Sequence, residues 1–305
     1  MTYEEKLAHF NEHVEAGGKV ETEDWMPDDY RAGVLKFIEM HANSEIMGAL
    51  PERECLPAAP SLKRKMSLCA KIQDEVGHSQ LLYRVAEDLG KSRDAMYHDL
   101  VTGRSKVHNV FHYPVAHWGD VALIGWLIDG AALVTQAALL DSSYAPYTRV
   151  LKRICSEEQL HLRHGEDMTL ELASGTDAQR QLFQDAIDRW WLAIIHFFGP
   201  RSNVAKDLLL RWKVKTRTNE DLRQEFLDRY VPKVLELGFT FPDPVPHQED
   251  GHWIVRDEDI DWAPLDAIKR NEGPETARRL ETRRRMYDEH RWVREALAEP
   301  AVNVA

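Results

Sequence analysis

Residues 71–80 read KIQDEVGHSQ and lie within a stretch that has the pattern of an amphipathic helix. The apolar residues around it recur at intervals of three and four, which marks one buried face. They are Leu68, Ile72, Leu82, Ala86 and Leu89. Glu75 falls on this face, and His78 flanks it one turn later. Because a buried carboxylate without a partner is costly, the sequence requires a group that neutralises Glu75.

The same pattern returns later in the chain. SEEQLH at 156–161 repeats QDEVGH of the first helix, with two acids, two intervening residues and a histidine. Each E-x-x-H follows a long helical pattern with an acid on its apolar face. Glu45 precedes Glu75 by 30 residues, and Asp129 precedes Glu158 by 29. Two helix pairs that each supply one acid and one E-x-x-H predict a four-helix bundle with pseudo-twofold symmetry.

The predicted site is a metal centre with six ligands: Glu45, Glu75, His78, Asp129, Glu158 and His161. Side chains at i and i+3 of a helix lie on one face and can reach the same ion. Four carboxylates and two imidazoles form the ligand set of di-iron and di-manganese bundles, in which carboxylates bridge two ions and open positions remain for O₂. The zinc-protease motif H-E-x-x-H is absent. The alternative, a set of core ion pairs, lacks an obvious Lys or Arg opposite the four acids.

Composition indicates a globular protein in a reducing compartment. The 305 residues are 43% hydrophobic, which is enough to bury a large core. The formal net charge of −12 argues against general binding of nucleic acid or of anionic membranes. Three cysteines are too few for a disulfide framework, and the N-terminal MTYEEKLAHF lacks the pattern of a signal peptide. We therefore expect a cytoplasmic protein.

One segment has the length of a membrane span. Residues 121–140, VALIGWLIDGAALVTQAALL, carry one formal charge, Asp129. An acid at the centre of a bilayer is costly, whereas a helix covered on all sides by protein has the same composition. We interpret 121–140 as a buried core helix and expect no association with a membrane.

The remaining patterns predict a predominantly helical chain. Helices are expected at 27–48, 62–89, 92–102, 118–141, 146–173, 177–198 and 202–238. The Pro-bearing segment 51–60 is predicted as a loop. The Pro-rich segment 239–262 is expected to form a short hairpin or to wrap the surface. A basic helix at 274–297 follows, and its charges are interpreted as a solvated face.

Specific sequence words extend across nearly the whole chain: DWMPDDYR (24–31), HANSEIMG (41–48), KIQDEVGH (71–78), GWLIDGAALVTQ (125–136), WKVKTRTNEDLRQ (212–224) and GHWIVRDEDIDW (251–262). With the two E-x-x-H blocks, they resemble the catalytic A subunits of bacterial ring 1,2-phenylacetyl-CoA epoxidases. The resemblance implies an all-α fold, with a ferritin-like di-iron bundle at 27–200. It also implies a helical C-terminal extension at 201–305, packed on the bundle. The polar residues 1–26 are predicted to form an N-terminal arm or a short helix.

The resemblance also implies an activity. Such an enzyme epoxidises the aromatic ring of phenylacetyl-CoA with O₂ and with electrons from NADPH, and it requires two Fe ions. The electrons arrive through a separate flavin and iron–sulfur reductase. Further small subunits and a metal-free homologous C subunit complete the complex. The six predicted ligands become the catalytic residues, with Asp129 in the place where most ferritin-like proteins carry Glu.

An acyl-CoA requires local cations for its phosphates. The residues considered for this role are Lys36, Lys71, Lys106, Lys213, Lys215 and Asn219. Ordinary surface lysines are the alternative for each of them.

Two acids next to the ligands are predicted to orient the histidines. A metal-bound histidine usually donates its second N–H to an acid or a carbonyl. We predict a crossed arrangement in which Asp74 accepts from His161 and Glu157 accepts from His78. His41, one turn before Glu45, is considered as a cavity wall or a supporting group, with a core histidine as the alternative.

Three other functions fit part of this pattern. An oxygenase acting on another aryl-CoA or acyl-CoA shares every motif, and a substrate panel distinguishes it. A ferroxidase or iron-storage protein predicts a self-assembling cage that needs no reductase. A non-catalytic scaffold would not keep a complete set of buried ligands.

Overall fold

The computed structural model describes residues 1–298, and within this range the chain is almost entirely helical. The helices are α1 (Tyr3–Glu15), α2 (Asp28–Cys55), α3 (Leu62–Glu87), α4 (Arg93–Val101), α5 (Trp118–Leu139), α6 (Ala145–Ala173), α7 (Asp177–Phe197), α8 (Leu208–Arg211), α9 (Asn219–Glu236), α10 (Ala263–Lys269), α11 (Thr276–Glu289) and α12 (Arg291–Ala298). Strands β1 (His247–Glu249) and β2 (His252–Ile254) form an antiparallel hairpin within the Pro-rich segment. The all-α prediction is confirmed.

Four long helices form the bundle that carries the predicted ligands. Helix α2 packs along α3, and α5 packs along α6. Ser61 begins α3 because its hydroxyl accepts from the backbone N–H of Arg64, at 3.2 Å. Thr176 begins α7 with a capping box that includes Gln179. The starts of α3 and α7 therefore lie close to the predicted ones.

Several local predictions are wrong. The helix predicted at 202–238 is interrupted, because the helices in this range are α8 (Leu208–Arg211) and α9 (Asn219–Glu236). Helix α2 does not end near Gly48 but continues through Pro51 to Cys55, so the predicted loop at 51–60 starts late. The proline removes one N–H from the helix, yet the continued turn buries Glu52 next to Lys71. The basic helix ends at Glu289 and resumes as α12 at Arg291.

The basic face of α11 is also not fully solvated, contrary to the prediction. Arg279 is buried and donates to the carbonyls of Phe111 and Tyr113. Arg283 donates to the carbonyl of Ile46, at 2.6 Å. Helix α11 is thereby fixed to the segment before α5 and to α2.

Helix α5 contains one wide turn of π-helix at Ile124–Ile128. In this turn Gly125 lies so close to Gly165 of α6 that a Cβ on either residue would overlap the other backbone. By length and composition α5 could cross a membrane, but 78% of its most apolar window is buried inside the protein. It is the central helix of the bundle.

The apolar interior consists of two separate clusters. One contains Leu68 of α3 and Met168 of α6, together with much of α5, α7 and α9. The other contains Leu82 of α3 and Ile154 of α6, together with α1 and the first half of α2. In α3 and in α6, the predicted ligands lie in the sequence between the residue that belongs to the first cluster and the residue that belongs to the second. A polar layer thus separates two apolar cores.

The C-terminal extension packs against the bundle. Phe226 and Tyr230 of α9 belong to the same apolar cluster as Trp126 of α5 and Phe183 of α7. The domain boundaries after residues 26 and 200 stay a prediction. Residues 299–305 of the predicted extension lie outside the described residues.

Candidate metal centre

The bundle brings all six predicted ligands together. Helix α2 supplies Glu45, α3 supplies Glu75 and His78, α5 supplies Asp129, and α6 supplies Glu158 and His161. All six side chains are buried. They form two groups in which the possible ligand atoms lie within 4.8 Å of one another: Glu45, Glu75, His78 and Glu158 in the first, and Asp129, Glu158 and His161 in the second. Glu158 belongs to both.

The distances fit a pair of metal ions. His78 Nδ1 lies 3.4 Å from Glu45 Oε2 and 3.2 Å from Glu158 Oε1, yet this buried nitrogen makes no hydrogen bond. His161 Nδ1 lies 3.1 Å from Glu158 Oε2 and 3.6 Å from Glu75 Oε1. The Nδ1 atom of His78, buried and facing two carboxylates without a hydrogen bond, is thus available to bind a metal ion.

Burial and close charges shift the pKa values of the acids and histidines in this centre away from their usual values. Burial raises the pKa of Glu75 well above its usual value, and the negative charges of Glu158 and Glu45 add to this effect. Burial lowers the pKa of His78, but contacts with Glu158 and Glu45 outweigh it and raise the pKa to about 10. Protons therefore occupy the centre when cations do not, and metal ions must displace them.

Glu45 and Glu158 remain ionised. Burial raises the pKa of Glu45, but contacts with His41 and His78 outweigh it, and the pKa lies below its usual value. Burial acts in the same way on Glu158, where contacts with His161 and His78 lower the pKa to about 2.

A buried cation that was not predicted there lies beside the acids. The prediction that Lys71 contacts CoA does not fit its position, because its side chain is only 5% exposed. Its Nζ lies 2.6 Å from Asp129 Oδ2 and 2.6 Å from Glu52 Oε1. The expectation that no Lys or Arg faces the acids is thus wrong for Asp129. Helical spacing could have indicated this lysine, because it lies one turn before Glu75 on the same face.

Asp74 and Glu157 make the two crossed contacts. His161 Nε2 lies 3.1 Å from Asp74 Oδ2, and His78 Nε2 lies 2.9 Å from Glu157 Oε2. In each histidine the Nε2 atom thus faces an acid of the other helix, while the Nδ1 atom faces the ligand carboxylates. Their effect on metal binding stays a prediction.

Two comparisons with known proteins bear on this centre. Residues 3–292 match the family model described as "Phenylacetic acid catabolic protein". The chain is also 43% identical, over 300 residues, to the A subunit of 1,2-phenylacetyl-CoA epoxidase of Escherichia coli (strain K12). This alignment covers 97% of the chain and 96% of the relative. The chain belongs to the phenylacetic acid catabolic protein family.

In this family member, a cavity of about 320 Å³ adjoins the carboxylates. Its walls are mainly apolar, with Phe37, Ile124, Ile128, Phe197 and Leu222 among the lining residues. Both ends of the π-helical turn thus contribute an isoleucine to the wall. The cavity has the size and character of a small-molecule site.

The candidate CoA contacts divide into two groups. Lys215 and Asn219 are half-buried and line the cavity beside Arg217. Lys36 and Lys106 are exposed and lie outside its lining, among the residues described. Lys213 also lies outside the lining, and its Nζ donates to the carbonyl of Glu15 at 2.7 Å.

The other histidines of this family member have structural contacts. His108 Nε2 donates to the carbonyl of Phe197, at 3.1 Å, and His112 Nδ1 lies 2.5 Å from Thr276 Oγ1. His117 accepts from the backbone N–H of Gly119 at the start of α5. His41 is different, because it contacts the ligand Glu45.

Proposed function

We propose that the chain is the catalytic subunit of a multicomponent di-iron monooxygenase that epoxidises the aromatic ring of phenylacetyl-CoA. The observation that carries this proposal is the meeting of six buried candidate ligands, the four carboxylates of which line an apolar cavity. The extent of the similarity to the epoxidase chain of Escherichia coli supports the choice of substrate.

The six ligands would hold two iron ions. Glu158 is placed to serve both ions, because it belongs to both ligand groups. With iron bound, the centre supplies reductive activation of O₂ for insertion of one oxygen atom into the ring. The four carboxylates balance the positive charge of the metals, and each histidine contributes a neutral nitrogen.

The cavity residues select and orient the substrate. Phe37, Phe197 and Leu222 offer an apolar surface to an aromatic ring and exclude bulk water from the carboxylates. Lys215 and Asn219 are half-buried and line the same cavity. The polar part of an acyl-CoA would leave the cavity beside them. Lysine suits a phosphate group as a compact point charge.

The reaction requires further components. We propose that electrons come from NADPH through a separate flavin and iron–sulfur reductase. We also propose that smaller subunits, together with a homologous metal-free C subunit, bind this chain in the cytoplasm. The relative from Escherichia coli is named as one subunit of its epoxidase, which supports a complex of several chains.

Oxygen consumption by the reconstituted complex tests this function. Protein loaded with Fe²⁺ is mixed with reductase, NADPH and the other subunits, and O₂ uptake is measured with and without phenylacetyl-CoA. We expect uptake that depends on the substrate and a product heavier by one oxygen atom. Equal or faster turnover of benzoyl-CoA or an aliphatic acyl-CoA would reassign the substrate. Rapid Fe²⁺ oxidation by a cage-sized assembly, without reductase, would indicate a ferroxidase.

A further inference from the structure

Glu45 is held by a partner that the other ligands lack. His41 lies one turn earlier on α2, and its Nε2 is 2.8 Å from Glu45 Oε1. The second oxygen, Oε2, lies 3.4 Å from Nδ1 of His78. The two oxygens of this carboxylate therefore face different groups, one on each side.

The imidazole of His41 is itself held by a buried tyrosine. The hydroxyl of Tyr147 lies 2.7 Å from His41 Nδ1, and Tyr147 is fully buried near the start of α6. A carboxylate can only accept, so Nε2 of His41 carries a proton and donates it to Glu45. In the neutral ring Nδ1 is an acceptor, and the tyrosine hydroxyl donates to it.

Aromatic contacts hold the rings of His41 and Tyr147 in the positions that the two hydrogen bonds need. The ring of Phe37, one turn before His41, meets the ring of Tyr147 edge to face at 6.2 Å. The rings of His41 and Tyr147 are nearly perpendicular, at 88°. Neither hydrogen bond can be kept if the imidazole rotates, because its two nitrogens point to partners on different helices.

We propose that His41 and Tyr147 are positioning residues that make Glu45 a one-oxygen metal ligand. They engage Oε1 and leave Oε2 to the ion shared with Glu75, His78 and Glu158. The inference rests on the metal centre of the proposed function. Supporting hydrogen bonds of this kind typically change metal affinity by 10–100-fold.

The test is a titration of the full-length metal-free protein with Co²⁺, followed by absorption and by competition with a chelator. Tyr147→Phe removes only the hydroxyl, and His41→Leu removes both hydrogen bonds. We expect about 10-fold weaker binding of one of the two ions in Tyr147→Phe and a larger loss in His41→Leu. His41→Gln should recover part of the affinity, because its amide can donate to Glu45.

The matched control is Tyr144→Phe, which deletes the hydroxyl of another buried tyrosine on the same side of the bundle. That hydroxyl contacts Thr22, at 3.5 Å, and no ligand, so both affinities should stay at the wild-type value. Thermal unfolding of each metal-free variant checks that the fold is kept.

Two results would overturn the inference. Wild-type affinities in both Tyr147→Phe and His41→Leu would show that the pair does not position Glu45. An equal loss in Tyr144→Phe would assign the effect to general packing. Failure of the wild-type chain to bind two Co²⁺ ions is a distinct result, because it would overturn the proposed centre as well.

Discussion

Each carboxylate of the centre has its own neighbour, so single substitutions should have distinct effects. Glu45 contacts His41, Asp129 contacts Lys71, and Glu158 lies near both histidine rings. Glu158 is the acid common to the two ligand groups, whereas Glu45 belongs to only one. Loss of a shared acid should therefore affect both ions, and loss of an unshared acid should affect one ion first.

Replacement of either E-x-x-H glutamate should abolish dinuclear metal binding. In Glu75→Ala or Glu158→Ala, the remaining ligands are too few for two ions, but the buried apolar surface is unchanged. We expect fewer than two metals per chain by elemental analysis, no epoxidation, and the helical circular dichroism of the wild type. Asp167→Ala, at an exposed acid of α6, is the control. Two metals retained in either glutamate variant would contradict this assignment.

Asp74→Asn should weaken metal binding without removing a ligand. The amide cannot accept from His161 as strongly as the carboxylate does, so the imidazole loses orientation and basicity. The expected loss in metal affinity is roughly 10–100-fold, typical of such supporting contacts. A chelator competition assay measures it, with Asp167→Asn as the control. Wild-type affinity in Asp74→Asn would limit Asp74 to a surface role.

The ligands themselves could be predicted from the sequence, but several of their neighbours could not. E-x-x-H places two ligands on one helix, so local spacing is sufficient to find them. Glu52 and Tyr147 contact Lys71 and His41, the neighbours of the ligands, only through the axial alignment of adjacent helices, and so does Lys71 with Asp129. That alignment depends on tertiary packing, which a single sequence does not state.

Among the elements, α11 has an unusual role because buried Arg279 and half-buried Arg283 donate to carbonyl groups of other segments. Phe111, whose carbonyl accepts from Arg279, also lines the cavity. Helix α11 therefore supports one wall of the candidate site from outside the four-helix bundle.

Arg279→Ala should destabilise the protein and loosen this wall. It leaves the carbonyls of Phe111 and Tyr113 without their donor, and charge-assisted hydrogen bonds contribute about 1.5–3 kcal/mol each. We expect a loss of about 3 kcal/mol in the free energy of unfolding, measured with urea. Arg284→Ala, at an exposed position of the same helix, should change it little. Equal losses in the two variants would remove the special role of Arg279.

Most helix starts were predictable from local signals, but that of α9 was not, although Thr218 caps it. Ser61 and Thr176 mark helix starts correctly. Pro51 is misleading, because a helix tolerates one missing N–H when the continued turn buries Glu52 beside a lysine. The π-helical turn at Ile124–Ile128 leaves no signal in the apolar pattern, since every residue there is buried.

For the whole molecule, the cavity connects the buried acids to a polar margin that contains Lys215, Arg217 and Asn219. The helical class followed from apolar periodicity, and the pairing of helices followed from the repeated motif. The cavity could not be derived in this way, because side chains from α2, α5, α6, α7 and α9 enclose it together.

Lys215→Ala should weaken binding of the acyl-CoA while metal content stays constant. Removal of one charge–phosphate contact that is partly open to solvent costs on the order of 1–2 kcal/mol. The apparent KM should therefore rise about tenfold, with kcat nearly unchanged. Lys213→Ala is the control in the same segment, since Lys213 lies outside the cavity lining, whereas Lys215 lines the cavity and is held there 2.8 Å from Asp207 Oδ2. An unchanged KM in Lys215→Ala would place the phosphates elsewhere.

The division of the interior into two apolar clusters has a consequence for cooperativity. Each half of the bundle has its own core, and the layer between them holds acids that protons, histidines and Lys71 neutralise when no metal is bound. Ions in that layer would link all four helices through shared ligands. Metal loading should therefore couple the local unfolding of one half of the bundle to that of the other half. The bound ions would then make unfolding of the whole bundle cooperative, in addition to their role in the chemistry.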